Sequence, residues 1–154
     1  MSFASPVHEF AFMFDHIVDV AAVRSTERYE DVTRDVTQAI LSEAGKMIDD
    51  VIAPLQRAGD LHPAFLENGI VRTSPGFKDG WRAIAEGGWV GISADPEFGG
   101  MGLPMVVTTA VNDMLSGACI SLQLAPLMTQ GQIEALEHHA SDDIKALYLP
   151  KLIS

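Results

Sequence analysis

The residue types that most often carry out chemistry are thinly scattered along this sequence. Zinc sites need thiolate or imidazole ligands at workable spacing, and the chain has one cysteine, Cys119, and five histidines. His138 and His139 are adjacent, so on a helix their side chains point about 100° apart and cannot chelate a metal from one face. We interpret them as surface histidines. Cys119 lies in an apolar run at residues 118–120, which favours a buried, unreactive thiol.

A glycine-rich segment at residues 99–102 is the next candidate, because such loops can cradle phosphates. No Gly-Lys-Ser/Thr sequence follows it, and the strand context of a dinucleotide fingerprint is absent. A tight connection that lets two elements pack closely explains these glycines better. The carboxylate pairs at 49–50 and 142–143 have amphipathic or capping contexts, and no nucleophile elbow supports a Ser/His/Asp arrangement. The residues alone therefore predict no catalytic constellation and no metal site.

The composition favours one globular domain over residues 1–154. The chain is 47% hydrophobic, and 21 acidic against 10 basic side chains give a formal net charge of −11. Such a surface repels phosphate backbones and anionic headgroups, so we expect neither nucleic acid nor a membrane as a partner. One cysteine excludes an internal disulfide. The first residues lack the basic region of a signal peptide, and no stretch approaches the roughly 20 apolar residues of a membrane span. We expect a cytoplasmic protein.

Apolar residues recur at three- and four-residue spacing along most of the chain, which predicts amphipathic helices. Gly45, in the middle of the longest one, indicates close packing at that point. Asn68-Gly69 is a turn signal between short extended flanks, which predicts a two-stranded ribbon. The predicted helical segments are residues 6–23, 32–57, 75–86, 104–115, a segment around 133–139, and 144–149.

Prolines, glycines and capping residues set the expected boundaries of these helices. Pro54 predicts a kink or break late in the second helix. Ser74-Pro75 predicts a helix start, with a hydroxyl at the cap and proline at the first helical position. Further boundaries are expected at Gly87-Gly88, Pro104, Pro126, Ser141 and Pro150. The fold predicted from the sequence is an all-α helical bundle of five to six helices.

Three stretches in this order resemble one known family. Residues 86–92 and 95–104 read Glu-Gly-Gly-Trp-Val-Gly-Ile and Asp-Pro-Glu-Phe-Gly-Gly-Met-Gly-Leu-Pro. Residues 127–131 read Leu-Met-Thr-Gln-Gly, and residues 142–152 read Asp-Asp-Ile-Lys-Ala-Leu-Tyr-Leu-Pro-Lys-Leu. On these motifs the chain resembles the N-terminal helical domain of acyl-CoA dehydrogenases. Its opening segment and long N-terminal helix are similar to the long subgroup that includes methylmercaptopropionyl-CoA dehydrogenases.

The resemblance implies how the chemistry is divided in the whole enzyme. The family has an N-terminal helical domain, a middle β-domain and a C-terminal helical domain, and FAD binds mainly between the latter two. A glutamate in the C-terminal part removes the α-proton of an acyl-CoA while flavin N5 takes the β-hydride. Residues 1–154 correspond to the first domain and stop before the flavin-contacting segment. We therefore expect no bound flavin and no turnover by this chain alone, with the middle and C-terminal domains as its partners.

The resemblance also implies a place for the acyl chain, since the helices after the Gly-Gly loop help to enclose its far end in the family. Each methylene buried against an apolar wall is worth roughly 0.8 kcal/mol. The same residues could instead pack against the middle domain. Gln123 interrupts the apolar stripe, and its amide is expected to reach a polar group on another domain. The candidate wall residues are Leu122, Leu124, Ala125, Met128 and Thr129, with Gln130 nearby.

Surfaces that the family buries against its other domains should be exposed in this chain. Large exposed apolar patches mark interaction sites, so we expect a homodimer or higher oligomer. An alternative function is a stand-alone helical binding module, derived from the same family, that holds acyl-CoA or a protein.

Overall fold

The helical spacing of the apolar residues produces seven α-helices in the computed structural model, which describes residues 3–154. About 70% of the chain is helical. Two helices are joined without a gap by a π-helical turn, Ile48–Ile52, so the α-helices of the described residues form six separate segments, and two short 3-10 helices, Glu27–Tyr29 and Pro96–Phe98, lie between them. The predicted all-α bundle is confirmed. The helices are α1 Val7–His16, α2 Val20–Arg24, α3 Arg34–Met47, α4 Ala53–Leu61, α5 Phe77–Glu86, α6 Met105–His139 and α7 Asp142–Ile153.

The first predicted helix, residues 6–23, is two helices in the structure. α1 ends at His16 and α2 begins at Val20. The Asp19 side chain accepts a hydrogen bond from the backbone N–H of Ala22, which caps the start of α2. A capping carboxylate satisfies one of the free N–H groups at a helix start, and periodicity alone did not reveal it.

The helical segment predicted at residues 32–57 extends to Leu61. Its backbone is irregular near the predicted position, but the irregular part is the π-helical turn Ile48–Ile52, which ends before Pro54. In that π-helical turn the backbone N–H of Ala53 donates to the carbonyl of Ile48, five residues earlier. Pro54 then lies in the first turn of α4, where its missing N–H costs little. The predicted close packing at Gly45 is confirmed, because a Cβ there would lie 2.8 Å from Val7 Cγ2.

The predicted ribbon is confirmed as an antiparallel hairpin of β1, Phe65–Glu67, and β2, Ile70–Arg72. Asn68 (φ 51°) and Gly69 (φ 77°) both have left-handed backbone conformations, as a two-residue hairpin turn requires. Every residue of the two strands is exposed.

The start predicted at Ser74-Pro75 is wrong by two residues, since α5 begins at Phe77. Gly76 is left-handed (φ 80°), so a helix that starts at Pro75 cannot continue through it. The end predicted at Gly87-Gly88 is confirmed. α7 begins after Ser141 as predicted, but it continues through Pro150 to Ile153.

Pro104 precedes α6 as predicted, but the interruption expected at Pro126 is wrong. The break lies at Cys119, which has an extended backbone (φ −158°, ψ 83°), and Pro126 is inside the helix that follows. The expectation that no stretch approaches a membrane span is corrected, because α6 is 35 residues long and contains a window of mean hydropathy 1.3 that meets the length and composition of such a span. Half of that window is buried inside the fold, as in the core helix of many globular domains. The absence of a membrane partner stays a prediction.

The core forms where α3, the π-helical turn, α4, α5 and α7 pack against α6. α5 contributes Ile84, the segment after it contributes Ile92, and α7 contributes Leu149. Burial on this scale is the main force that holds the helices together. The largest fully buried side chains are Leu41, Ile48, Ile52, Ile84, Ile92, Met114, Leu115, Leu149 and Gln123.

Candidate functional site

The break at Cys119 divides α6 into a first arm, residues 105–118, and a second arm, residues 120–139. Asn112 in the first arm donates from Nδ2 to Oε1 of Gln130 in the second, at 2.8 Å. On one straight α-helix two residues 18 positions apart would lie about 27 Å from each other. The two arms therefore fold back on each other at Cys119.

The second arm carries a row of large apolar side chains that residues 3–154 leave about half exposed. They lie at positions i, i+4, i+7 and i+8, which share one face of an α-helix. Their exposed fractions lie between 42% and 68%. We call this row the exposed stripe, and its residues are Ile120, Leu124, Leu127 and Met128.

The structure brings three of the five candidate wall residues to this face. Leu124 and Met128 belong to the exposed stripe, and Ala125 is exposed beside them. Thr129 is half-buried, and its hydroxyl donates to the carbonyl of Ala125 at 3.1 Å. Leu122 lies on the opposite side of the arm with only 6% exposure. The role of these residues in binding an acyl chain stays a prediction.

Leu122 packs into the core beside Gly80 of α5. A Cβ at Gly80 would lie 2.9 Å from Leu122 Cδ2 and 2.5 Å from Leu55 Cδ1. The missing side chain therefore lets α5, α4 and the second arm approach closely. Leu122 holds the second arm in place and leaves the opposite face of the arm to the exposed stripe.

Three amide side chains connect the two arms behind the exposed stripe. Gln123 Nε2 donates to Asn112 Oδ1 at 3.0 Å, and Asn112 Nδ2 donates to Gln130. Gln130 Nε2 donates in turn to the backbone carbonyl of Trp89 at 3.1 Å. We call this chain the amide relay. The expectation that the Gln123 amide reaches another domain is corrected, since its amino group has a partner within the chain and Gln123 is only 1% exposed.

Sequence reasoning singled out Gln123 and Gln130 but missed Asn112. The signal was present, because Asn112 is a polar residue next to Val111 on a helix whose inward positions are mostly apolar. Its partner could not be assigned without knowing that the chain reverses at Cys119.

The glycine-rich loop after α5 is a tight connection, as predicted, and its backbone N–H groups are already used. Those of Gly99 and Gly100 donate to the carbonyls of Pro96 and Asp95, and those of residues 101–103 donate to carbonyls of residues 91–94. A Cβ at Gly100 would lie 2.0 Å from the carbonyl oxygen of Ala94. Few N–H groups remain to hold a phosphate.

A cavity of about 490 Å³ adjoins the end of the first arm. Its charged side chains are already paired: Asp49 accepts hydrogen bonds from the backbone N–H and hydroxyl of Ser5, both at 2.8 Å, and Arg57 pairs with Asp60 at 3.0 Å. Among residues 3–154 no group of three or more His, Cys, Asp or Glu side chains could hold a metal. Cys119 is fully buried, and His138 and His139 are exposed.

The shifted pKa values lie away from the second arm. Hydrogen bonds from Arg34 hold the pKa of Asp15 below its ordinary value, and the same contact raises the pKa of Arg34. The Glu43 carboxylate raises the pKa of Lys46 in the same way. The exposed stripe itself is aliphatic and thioether, so this face can offer shape and apolar surface rather than proton transfer.

Comparisons with known proteins point to one family. A family profile described as "Acyl-CoA dehydrogenase, N-terminal domain" matches residues 34–154. The chain is 38% identical over its whole length to a 3-methylmercaptopropionyl-CoA dehydrogenase of Ruegeria pomeroyi. It is 26% identical over 96% of its length to a butyryl-CoA dehydrogenase of Syntrophomonas wolfei, and 25% identical over 75% to a broad-specificity linear acyl-CoA dehydrogenase of Mycobacterium tuberculosis.

These matches define the class of protein. The chain belongs to the acyl-CoA dehydrogenase family, and its similarity to a 3-methylmercaptopropionyl-CoA dehydrogenase confirms the predicted subgroup resemblance. The chain spans 26%, 25% and 19% of the lengths of these three relatives.

Proposed function

We propose that residues 1–154 are the N-terminal helical domain of an FAD-dependent acyl-CoA dehydrogenase, in which the second arm forms part of the acyl-pocket wall. The exposed stripe carries this proposal. It is a row of four large apolar side chains on a family member whose relatives are named for acyl-CoA substrates. An isolated exposed apolar residue is ordinary, but a contiguous row marks a surface that binds something.

The stripe suits an alkyl or thioether chain because its side chains are aliphatic or thioether. Met128 is the most exposed of them at 68%, and a flexible thioether adapts to ligands of different shape. Each methylene that the wall removes from water is worth roughly 0.8 kcal/mol, or about a fourfold change in binding. A wall of this kind selects substrates by length and shape.

The proposal leaves the chemistry to the middle and C-terminal domains. In the family those domains supply the FAD, which accepts the β-hydride, and the glutamate base that removes the α-proton. Residues of the second arm orient the acyl chain and exclude water from it. The Thr129 hydroxyl already donates to the Ala125 carbonyl, so its oxygen is left to act as a hydrogen-bond acceptor. The 154-residue chain is accordingly proposed to be inactive alone and free of flavin.

Substitutions on the stripe in the full-length enzyme test the proposal. Leu124→Ala and Met128→Ala should each raise KM for the preferred acyl-CoA roughly three- to tenfold, with little change in kcat, because they remove wall contacts only. The matched control is Val36→Ala on α3, the single exposed large apolar residue of that helix. Unchanged KM values across a series of acyl-chain lengths would contradict the wall function.

The purified 154-residue chain provides a second test. We expect no flavin absorbance and no oxidation of any acyl-CoA, even with added FAD. Near-stoichiometric flavin in the purified chain would overturn this part of the proposal.

We also propose that the chain self-associates, as a homodimer or higher oligomer, and that it acts in the cytoplasm without nucleic acid or membrane. Besides the stripe, the hairpin exposes Phe65, Leu66, Ile70 and Val71, which supports association through an apolar surface. Light scattering during size-exclusion chromatography is the test. A monomer throughout the micromolar range would contradict self-association.

The exposed hairpin also supports the alternative function, a stand-alone binding module derived from the family. The DNA downstream of the codon for Ser154 separates the two. An open reading frame that continues into a flavin-contacting segment favours the domain, and a stop codon followed by unrelated sequence favours the module.

A further inference from the structure

The amide relay is the feature of this molecule that the proposed function does not yet use. It runs in one direction, with each amino group donating to the next carbonyl, from Gln123 through Asn112 and Gln130 to the backbone of Trp89. Asn112 belongs to the first arm, and both glutamines belong to the second. It therefore joins two points of the second arm that are two helical turns apart.

Nothing in the backbone at Cys119 determines the angle between the arms. Its extended conformation is open to any residue, and neither glycine nor proline occupies the position. Apolar contacts alone tolerate sliding and rotation, whereas amide hydrogen bonds require particular distances and directions. The angle and rotation of the second arm must therefore be set by its contacts with the rest of the fold, which include the packing of Leu122 beside Gly80 and the relay between the arms. The relay is the most directional of these contacts.

The relay also fixes the orientation of each amide. If the Gln123 amide were turned over, its carbonyl would face the carbonyl of Asn112, and the hydrogen bond would become a repulsion. In the orientation observed, Oε1 of Gln123 has no hydrogen-bond partner among residues 3–154. An amide group left half-paired in this buried position indicates that the bond to Asn112 determines its placement.

Gln123 and Gln130 bracket most of the exposed stripe. Leu124, Leu127 and Met128 lie between them along the second arm, so a rotation of the arm that breaks the relay moves these three side chains together. A slip by one residue would turn the arm by about 100° and remove the stripe from its present face.

We propose that Asn112 is a positioning residue, which fixes the rotation of the second arm and so sets the depth of the acyl-pocket wall. The acyl-pocket part of this inference rests on the proposed function. The effect of Asn112 on the position of the second arm can be tested without any substrate. Asn112 does not touch the acyl chain. It acts through Gln123 and Gln130.

Asn112→Asp is the test variant, because it keeps the size of the side chain and replaces the donor to Gln130 with an acceptor. Spin labels at Thr109 and Ala135, exposed positions on the two arms, report the inter-arm distance in the 154-residue chain. We expect the distribution to broaden or shift in the variant. Gln132→Glu, the same chemical change at an exposed position of the second arm, is the matched control and should leave it unchanged.

Lowering the pH should restore the wild-type distance distribution in Asn112→Asp, because it protonates the introduced carboxyl. A purely steric effect of the substitution would not depend on pH. Once protonated, this carboxyl can again donate to Gln130 and accept from Gln123. Burial and the facing Gln130 carbonyl raise the pKa of such a group, so lowering the pH from about 8 to about 5.5 should restore the narrow distribution. If Asn112→Asp fails to fold, Gln130→Met removes the same link without introducing a charge.

In the full-length enzyme, Asn112→Asp should reduce several-fold the ratio of kcat/KM between the preferred and the less preferred acyl-CoA chain lengths. The change should arise mainly from KM, with kcat within about twofold of the wild type. An unchanged inter-arm distance in both relay variants would overturn the positioning function. A changed distance with unchanged chain-length preference would overturn the link between the relay and the pocket. Failure of the proposed function is seen separately, as Leu124→Ala and Met128→Ala without effect on KM in the wild-type background.

Discussion

The two arms of α6 are consecutive stretches of one helical element, yet the fold treats their apolar residues differently. The first arm buries Val107, Val111, Met114 and Leu115 almost completely, and Met105 at its start is its exposed large apolar residue. The second arm buries Leu122 and Ile133 but leaves the exposed stripe uncovered. The large apolar side chains of the first arm are thus mostly buried, whereas the second arm keeps one apolar face exposed. The apolar composition of a helix therefore indicates how much of its surface favours burial. The fold determines how much of that surface this chain buries by itself.

Truncating one side chain on each arm tests this comparison with the largest effect. Met114 is 1% exposed, so Met114→Ala should lower the free energy of unfolding by about 2–5 kcal/mol through lost burial and a cavity. Leu124→Ala, on the exposed stripe, should lower it by less than about 0.5 kcal/mol. Urea unfolding followed by circular dichroism measures both. Equal losses would mean that the second arm is as well covered as the first.

A glycine at the junction between α5 and the second arm tests how closely the covered side of that arm is packed. Gly80→Ala places a Cβ against Leu55 and Leu122 at distances too short for ordinary contact. We expect a loss of about 1–3 kcal/mol from overpacking, visible as a lower urea midpoint. Shortening the neighbour in the double variant Gly80→Ala/Leu122→Ala should recover part of the loss caused by the glycine substitution. A double variant in which the two losses simply add would contradict the contact.

The sequence predicted the elements well where local chemistry decides the structure. The Asn68-Gly69 turn, the stop at Gly87-Gly88 and the start after Pro104 depend on backbone conformations that few residues adopt. The break at Cys119 was not predicted, because no residue at that position requires it. The predicted break was at Pro126, since a proline normally interrupts a helix, but here the helix continues through it.

The candidate site was predicted only as a stretch of sequence. Motif resemblance located residues 122–129, but helix rotation decides which of them face outward, and that rotation depends on the arms folding back on each other. Leu122 and Leu124 are two residues apart, so they point to nearly opposite sides of the arm. The amide relay joins residues as far apart as 89 and 130, and such pairings follow from the tertiary fold.

A glycine on the second arm tests the same comparison with a substitution that should stabilise the fold. A Cβ at Gly131 would meet no atom of residues 3–154 within 4 Å. Gly131→Ala should therefore raise the free energy of unfolding by about 0.5–1 kcal/mol, because alanine is the better helix former. The measurement is the urea midpoint of the 154-residue chain. A loss of stability would show that this part of the second arm is covered in solution.

The smallest effect is expected at an ion pair that neither arm contacts, which gives a baseline for the comparison. Arg34 Nε donates to Asp15 Oδ1 at 3.0 Å, and this contact holds the pKa of Asp15 below its ordinary 3.8. A lowered folded-state pKa stabilises the fold above the unfolded value, and the contribution is lost as the pH falls through the folded-state pKa. Asp15→Asn should therefore lower the urea midpoint slightly at neutral pH and converge with the wild type in acid below pH 3.8. Because the pair is exposed, the difference should be smaller than those at Met114, Gly80 and Gly131, and it should shrink in high salt. A difference that persisted in acid would show that Asp15 stabilises the α1–α3 contact by something other than its charge.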